Sequence, residues 1–314
     1  MTATSGPGLS LMAEFVGLGY WAELPGVIFD VQRVGPSTGL PTRTAQGDLL
    51  SVAFFSHGDT KYVMLLPGSV KECFEFGYAA FDLAERLQTP IFVMSDLDLG
   101  MNNWLSEPFD YPEKKLDRGK VLTAEDLERL GGFARYRDVD GDAVGWRTLP
   151  GTLHPKAAYF TRGSGHNDDG KYSETPADYV AMMDRLSRKF ESARPLAPAP
   201  VLVKSGSSKI GFIAYGTTDF ALREGLDLLE QRFGRQVDYL RLRAYPFAPE
   251  VGEFVAAHER IYIVEQNRDG QMASLLKLDL PAEQTVKLRS ILYYTGWPID
   301  AESILAAFRA QEGF

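Results

Sequence analysis

Between residues 30 and 42 the chain carries Asp30, Gln32, Arg33, Ser37, Thr38 and Thr42 in a run broken by Gly35, Pro36, Gly39 and Pro41. Arg33 lies just beyond the carboxyl end of an apolar, strand-like segment (residues 26–31), the end at which open parallel sheets put their ligands. A guanidinium fork beside two or three hydroxyls suits a small carboxylate, because it offers parallel charge-assisted hydrogen bonds. A surface arginine over a structural turn accounts for the same residues equally well. A second run, residues 3–8, reads Ala3, Thr4, Ser5, Gly6, Pro7, Gly8 and puts small groups and free N–H donors at a helix start, which suits close approach of a ligand. A strand-to-helix turn with a capping residue is the simpler account of that run taken alone.

Other chemistries find less support. The four histidines, His57, His154, His166 and His258, are scattered and lack metal-ligand spacing, so no metal site is expected. There is no G-x-S-x-G elbow, no phosphate loop of the G-x-x-x-x-G-K type and no G-x-G-x-x-G after a strand, which weakens hydrolase, NTPase and NAD-dehydrogenase readings. The single cysteine, Cys73, excludes an internal disulfide and equally an iron–sulfur cluster held by this chain alone, since such clusters take about four ligands. Redox chemistry would therefore need a second chain to carry the electrons away. The formal net charge of -9 argues against a nucleic-acid partner. No apolar run approaches the ~20 residues that cross a bilayer, and no secretory leader pattern opens the sequence. A cytoplasmic protein is expected, without membrane contact.

The elements that would position these residues follow from periodicity. The first ~190 residues alternate apolar runs with amphipathic stretches, an α/β pattern. Residues 5–8 read as a loop turning into a helix, with Pro7 tolerated in the first turn. Residues 51–55 and 62–66 are further short apolar runs. The clearest helix covers residues 69–87: Ser69 and Glu72 form a capping box, and Cys73, Gly77, Ala80, Ala84 and Leu87 share a core face, which makes Cys73 a small packed residue and not a reactive thiol. Thr89 and Pro90 stop it before a buried strand at 91–94. Residues 133–149 read as a hairpin turning at Asp140 and Gly141; a calcium loop is excluded because Gly141 comes two positions early and Leu149 stands where the bidentate glutamate is needed. Residues 162–176 form a long polar loop, a charged helix covers 178–191, and the Pro-rich segment 193–200 separates two domains. Beyond it, strands at 210–215, 237–242, 260–265 and 286–293 alternate with helices at 219–233, 250–257, 271–280 and 301–311, implying a parallel sheet.

Taken together, TATSGPGLSLM and DVQRVGPSTGLPTRTAQGDLL (residues 2–12 and 30–50) resemble the pyrimidine-binding domain of 2-oxoacid:ferredoxin oxidoreductase alpha subunits. The likeness continues, in order, through IFVMSDLDLGMNNWLSEPF, TRGSGHNDDGKYSETP, YGTTDFALREGLDLL and IVEQNRDGQMASLL. The resemblance implies a thiamine-diphosphate domain of the pyrimidine-binding type over residues 1–196, then a transketolase C-terminal-like α/β domain over 197–314. It implies decarboxylation of a 2-oxoacid on thiamine diphosphate, electrons passing to ferredoxin and the acyl group to coenzyme A. By the same resemblance Arg33 clamps the substrate carboxylate, Thr42 is a second substrate-recognition group, and Thr4, Ser5 and Gly6 lie near the pyrimidine half of the cofactor. The form of residues 32–42 points to 2-oxoglutarate or a broad 2-oxoacid range. The cofactor is shared with a beta subunit, which brings Mg2+ and the iron–sulfur cluster. Family members carry, ahead of the TATSGPG motif, a YPITP-type loop and a glutamate that activates the aminopyrimidine. The sequence given starts at Met1 just before that motif, so the resemblance implies an N-terminally truncated domain whose catalytic glutamate is absent. The alternative from another class is a non-catalytic assembly piece that keeps the fold without the chemistry.

Overall fold

The computed structural model describes residues 1–206 and 208–314 and contains two sheets, each layered with helices. The first begins with β1 (Thr2–Thr4), α1 (Gly6–Trp21), β2 (Gly26–Val34) and β3 (Leu40–Thr44). It continues with α2 (Leu49–Ala53), β4 (Val63–Leu65), α3 (Val70–Leu87), β5 (Pro90–Asp96) and α4 (Leu97–Met101). β1, β2, β5 and β4 run parallel in that order, while β3 folds back antiparallel on β2 to make a projecting arm. Parallel pairing requires a crossover, which α1 supplies between β1 and β2. β5 is buried along its whole length, as a strand covered on both faces must be.

Two further helices, α5 (Ala124–Leu130) and α6 (Pro176–Ser192), are separated by turns and loops. Residues 133–149 form no hairpin: the chain there is turns and bends, with an isolated bridge between Val121 and Arg147. Asp138, Asp140 and Asp142 instead converge, and the Lys120 ammonium donates to Asp140 and Asp142. A turn whose carboxylates are gathered around an ammonium has no need of the cross-strand pairs that the Asp-Gly step suggested.

The rest of the chain, which carries the second sheet, runs through β6 (Val201–Val203), β7 (Ile210–Tyr215), α7 (Thr218–Phe233), β8 (Asp238–Leu242), β9 (Ala244–Tyr245), α8 (Pro249–Ala257) and β10 (Arg260–Glu265). α9 (Gln271–Asp279), α10 (Ala282–Thr285), β11 (Leu288–Leu292) and α11 (Ala301–Glu312) complete it. The order is β11-β10-β7-β8-β6, parallel except for β6 at the edge. Alternate residues of each strand face opposite layers. Ile213, Leu240 and Ile263 pack with α8 and α9 into a core continuous with that of the first sheet, while Phe212, Tyr239 and Tyr262 pack with α7 and α11. β9 follows β8 in the chain but belongs to the first sheet, where it pairs antiparallel with β4.

Helix α3 corrects two local expectations. Ser69 does accept from the Glu72 N–H (3.2 Å), but the Glu72 carboxylate does not return to Ser69. It accepts instead from the Gly68 N–H (2.8 Å), from Arg241 (2.7 Å) and from Arg243 (2.9 Å), tying the helix start to the second sheet. The buried stripe runs through Glu72, Phe76, Ala80, Leu83, Ala84 and Leu87, so Cys73 and Gly77 sit at its margin, half-buried. Burial still pushes the Cys73 thiol up to about 11, which keeps it protonated and unreactive at neutral pH. The short apolar run at 51–55 falls largely within α2.

Candidate active site

The carboxyl end of β2, the N-terminus of α1 and the start of α2 enclose a cleft of about 250 Å³ whose walls include Gly6, Pro7, Ser10, Arg33, Ser37 and Asp48. Arg33 and Gly6, both singled out from the sequence, are brought together here. The Arg33 guanidinium is half-buried, forms no ion pair or hydrogen bond among the described residues, and has an Nε atom without a partner. Thr42 does not line this cleft; it is exposed on β3. Arg33 stands opposite Thr44, but the register shifts between Arg33 and Val34, which pairs with Leu40, so Thr42 falls in the irregular stretch of the arm and the pairing does not set its face. Thr4 and Ser5 stay outside the cleft: Thr4 packs over Gly8, and the Ser5 hydroxyl makes no capping hydrogen bond to α1.

Asp30 and Asp48 were given no role from the sequence; Asp48 lines the cleft, and Asp30 is buried against it. Asp30 points inward from the middle of β2, fully buried, with neither carboxylate oxygen hydrogen-bonded to a donor. Burial raises its pKa far above the ordinary range, and the facing carboxylate of Asp48 raises it further. Asp48 is itself raised by burial, with a hydrogen bond from Asp30 working the other way. The consistent arrangement is one shared proton, carried on Asp30 and donated to an ionised Asp48. The Asp48 oxygens lie 3.0 Å from the place a Cβ would occupy on Gly6, so any larger residue there would press on the pair. A lone carboxylate inside the apolar run 26–31 was the available signal; its partner, farther along the chain beyond an exposed arm, was not.

Behind the cleft, the return from β3 is fixed to the second sheet. The buried Gln46 side chain donates to Tyr215 O (3.3 Å) and accepts from the Thr218 hydroxyl (3.2 Å) and the Gln266 N–H (3.1 Å). Asn267 donates to both Gln46 O (3.0 Å) and the buried Glu265 carboxylate (2.8 Å). Asp96, at the end of β5, accepts from the Thr217 hydroxyl (2.7 Å); burial raises it to about 6 despite that bond.

These groups fit the heteroaromatic end of a cofactor such as thiamine diphosphate. The unpartnered Asp48 carboxyl oxygen can accept from an amino group, and the small Gly6 leaves the wall open. They do not form a cradle for a metal-bound diphosphate. Among the described residues the converging carboxylates are Asp138, Asp140 and Asp142, none of which lines the cleft.

An α/β domain of the thiamine-diphosphate-binding class is what comparison with known proteins also returns. Residues 1–125 match the family model described as "Pyruvate flavodoxin/ferredoxin oxidoreductase, thiamine diP-bdg". The "2-oxoacid:ferredoxin oxidoreductase 2, subunit alpha" of Aeropyrum pernix is 33% identical, over 98% of this chain and 47% of its own length. The "2-oxoglutarate synthase subunit KorA" of Methanothermobacter marburgensis is 31% identical, over 87% of this chain and 70% of its own. A solved 2-oxoglutarate:ferredoxin oxidoreductase from Magnetococcus marinus, with 2-oxoglutarate, coenzyme A and succinyl-CoA bound, matches 99% of this chain and 52% of that one, with a TM-score of 0.87 at 28% identity. The chain belongs to the alpha-subunit family of the 2-oxoacid:ferredoxin oxidoreductases, which includes the 2-oxoglutarate synthases. It spans about half the length of several of the curated relatives it matches. No helix among the described residues is long and apolar enough to cross a membrane.

Proposed function

We propose that this chain works as an alpha subunit in oxidative decarboxylation of a 2-oxoacid, with 2-oxoglutarate the favoured substrate, coenzyme A the acyl acceptor and ferredoxin the electron acceptor. A beta subunit completes the site and brings Mg2+ and the iron–sulfur cluster, in keeping with the single cysteine here. Residues 1–196 form the pyrimidine-binding unit and 197–314 the transketolase C-terminal-like unit, a division that the two separate sheets support. Coenzyme A and ferredoxin are intracellular co-substrates, which favours the cytoplasm.

The observation that carries this reading is Arg33: a half-buried guanidinium without an anionic partner, in the wall of a cleft at the carboxyl end of β2. A substrate carboxylate would supply the missing charge through paired hydrogen bonds. Thr42, on the returning strand of the arm, would add a hydroxyl. Thr4, Ser5 and Gly6 would flank the pyrimidine ring, and the Asp30–Asp48 pair would hold one proton beside it. Thiamine diphosphate, when bound, supplies the electron sink for loss of CO2. The 2-oxoglutarate-synthase relatives favour a dicarboxylic substrate over pyruvate.

The test is to co-express the chain, with and without any in-frame upstream sequence, together with a candidate beta subunit, and to follow viologen reduction that depends on 2-oxoglutarate and coenzyme A. Arg33→Ala is expected to raise KM for the 2-oxoacid by roughly tenfold to a hundredfold, the loss of a charge-assisted contact. Unchanged KM would remove Arg33 from the substrate site. A stable complex with no activity on any 2-oxoacid would support the non-catalytic assembly role instead.

A further inference from the structure

The arm that carries Arg33 and Thr42 is not free. Arg43, together with Val34, faces Gly296 of the second sheet's layer. Its guanidinium lies over the indole of Trp297, 3.9 Å from the ring centroid, and no ion pair reaches it among the described residues. Trp297 belongs to the loop at residues 294–298, which joins β11 to α11 in the second sheet's layer. The neighbouring Gly296 accepts the Thr44 N–H at 3.1 Å through its carbonyl. Gly296 has φ +86°, and a Cβ there would meet Arg43 Cβ at 3.1 Å and Val34 Cγ2 at 3.3 Å. Both strands of the arm thus rest flush on one stretch of backbone, at a position that only glycine occupies without strain. The arm's tip, residues 35–42, is exposed throughout, so little else restrains its outer half.

Resting on the function proposed above, we propose that the 294–298 loop of the second unit is the positioning device for substrate recognition, with Trp297 and Arg43 clamping the arm so that Arg33 and Thr42 meet the 2-oxoacid carboxylate in fixed geometry. Neither Arg43 nor Trp297 touches the substrate in this arrangement; each acts through the arm. The clamp is an exposed cation–π contact and not an ion pair, so it is only weakly screened by salt and tolerates exchange of one aromatic ring for another. It makes the second unit part of the specificity of a site whose walls all belong to the first.

Trp297 is 58% exposed, so its removal leaves no core cavity. In the assembled complex, Trp297→Ala is expected to raise KM for 2-oxoglutarate by about two- to fivefold, the range of an exposed cation–π contact, with kcat unchanged. Hydrogen exchange at the amides of residues 34–44 should quicken in the same variant. Trp297→Phe should restore both. A Trp297→Ala enzyme with unchanged KM and unchanged arm exchange would overturn the clamp, as would a fall in kcat alone. Arg33→Ala, measured alongside, separates the two levels. If that variant also leaves KM untouched, the functional reading fails; if it raises KM while Trp297→Ala moves nothing, only the clamp does.

Discussion

Glu23 and Asp30 are both fully buried carboxylates in the first unit, and their surroundings are opposite. Glu23 is met by Arg185 (3.0 Å, with a second, bidentate contact) and by the Lys189 ammonium (2.8 Å), both on α6. Burial alone would raise Glu23, but the charges of Lys189 and Arg185 and the Arg185 hydrogen bond outweigh it and hold the group at about 2. Asp30 meets another carboxylate, and both causes push it upward. One cluster sets two cations around a single carboxylate, with burial lowering Lys189 to about 8, and ties α6 to the loop after α1. The other keeps an excess of negative charge and unpartnered oxygens beside a cleft. Buried charge that is fully answered holds the fold, whereas buried charge left unanswered is a cost that a bound group can relieve.

The contrast can be broken by mutation. Glu23→Ala leaves two buried cations unpaired and is expected to cost about 3–5 kcal/mol, read from urea unfolding midpoints. A loss below about 1 kcal/mol would show that the cluster opens to water. Asp30→Asn should do the reverse, stabilising the chain by about 1–2 kcal/mol at pH 8, because an amide can donate to Asp48 without a proton being held against its tendency to leave. If it destabilises at that pH, the carboxylates are not facing each other as drawn.

The pH profiles give the same contrast with opposite sign. Glu23 is depressed in the folded chain, so its contribution is present above the ordinary glutamate pKa near 4.5 and is lost as pH falls from there toward about 2. Asp30 and Asp48 are raised, so folding favours their protonated forms; the pair costs nothing below about pH 4 and progressively lowers stability as pH rises above it. Asp30→Asn should therefore flatten the decline on the alkaline side and leave the acid limb unchanged. The smallest effect belongs to the exposed cluster. Asp140→Asn removes one of two carboxylates around Lys120 at a half-exposed position, and should shift the midpoint by no more than about 0.5 kcal/mol.

How much of this could be seen in the sequence differs between the two units. In the second, strands and helices fell within two residues of their expected bounds wherever an apolar run was bracketed by a helix of full length. In the first, short runs were ambiguous. Residues 51–55 read only as a short apolar run and fold largely as α2, since a few apolar residues carry no period of their own. Arg33 and Gly6 were legible because each sits at a punctuated junction, a strand end or a helix start. Asp30 was not, because its meaning depends on Asp48, and only tertiary folding brings them together. The arm's contact with the second unit was equally hidden: nothing in the local sequence says that a loop some 250 residues later covers Arg43.

Strand β9 has a consequence for how such a chain is made. Its two residues complete the first sheet beside β4, with Met64 opposite Tyr245 and Leu65 opposite Ala244. A ribosome delivers Leu65 long before Ala244, so β4 must wait with one edge bare until nearly half of the second unit has emerged. Pairings so distant along the chain form late and slowly, and an open edge invites association with other chains in the interval. Cutting the gene at residues 193–200 would separate two recognisable sheets and leave the first permanently unfinished. For heterologous production this favours slow synthesis of the undivided chain over reassembly from halves.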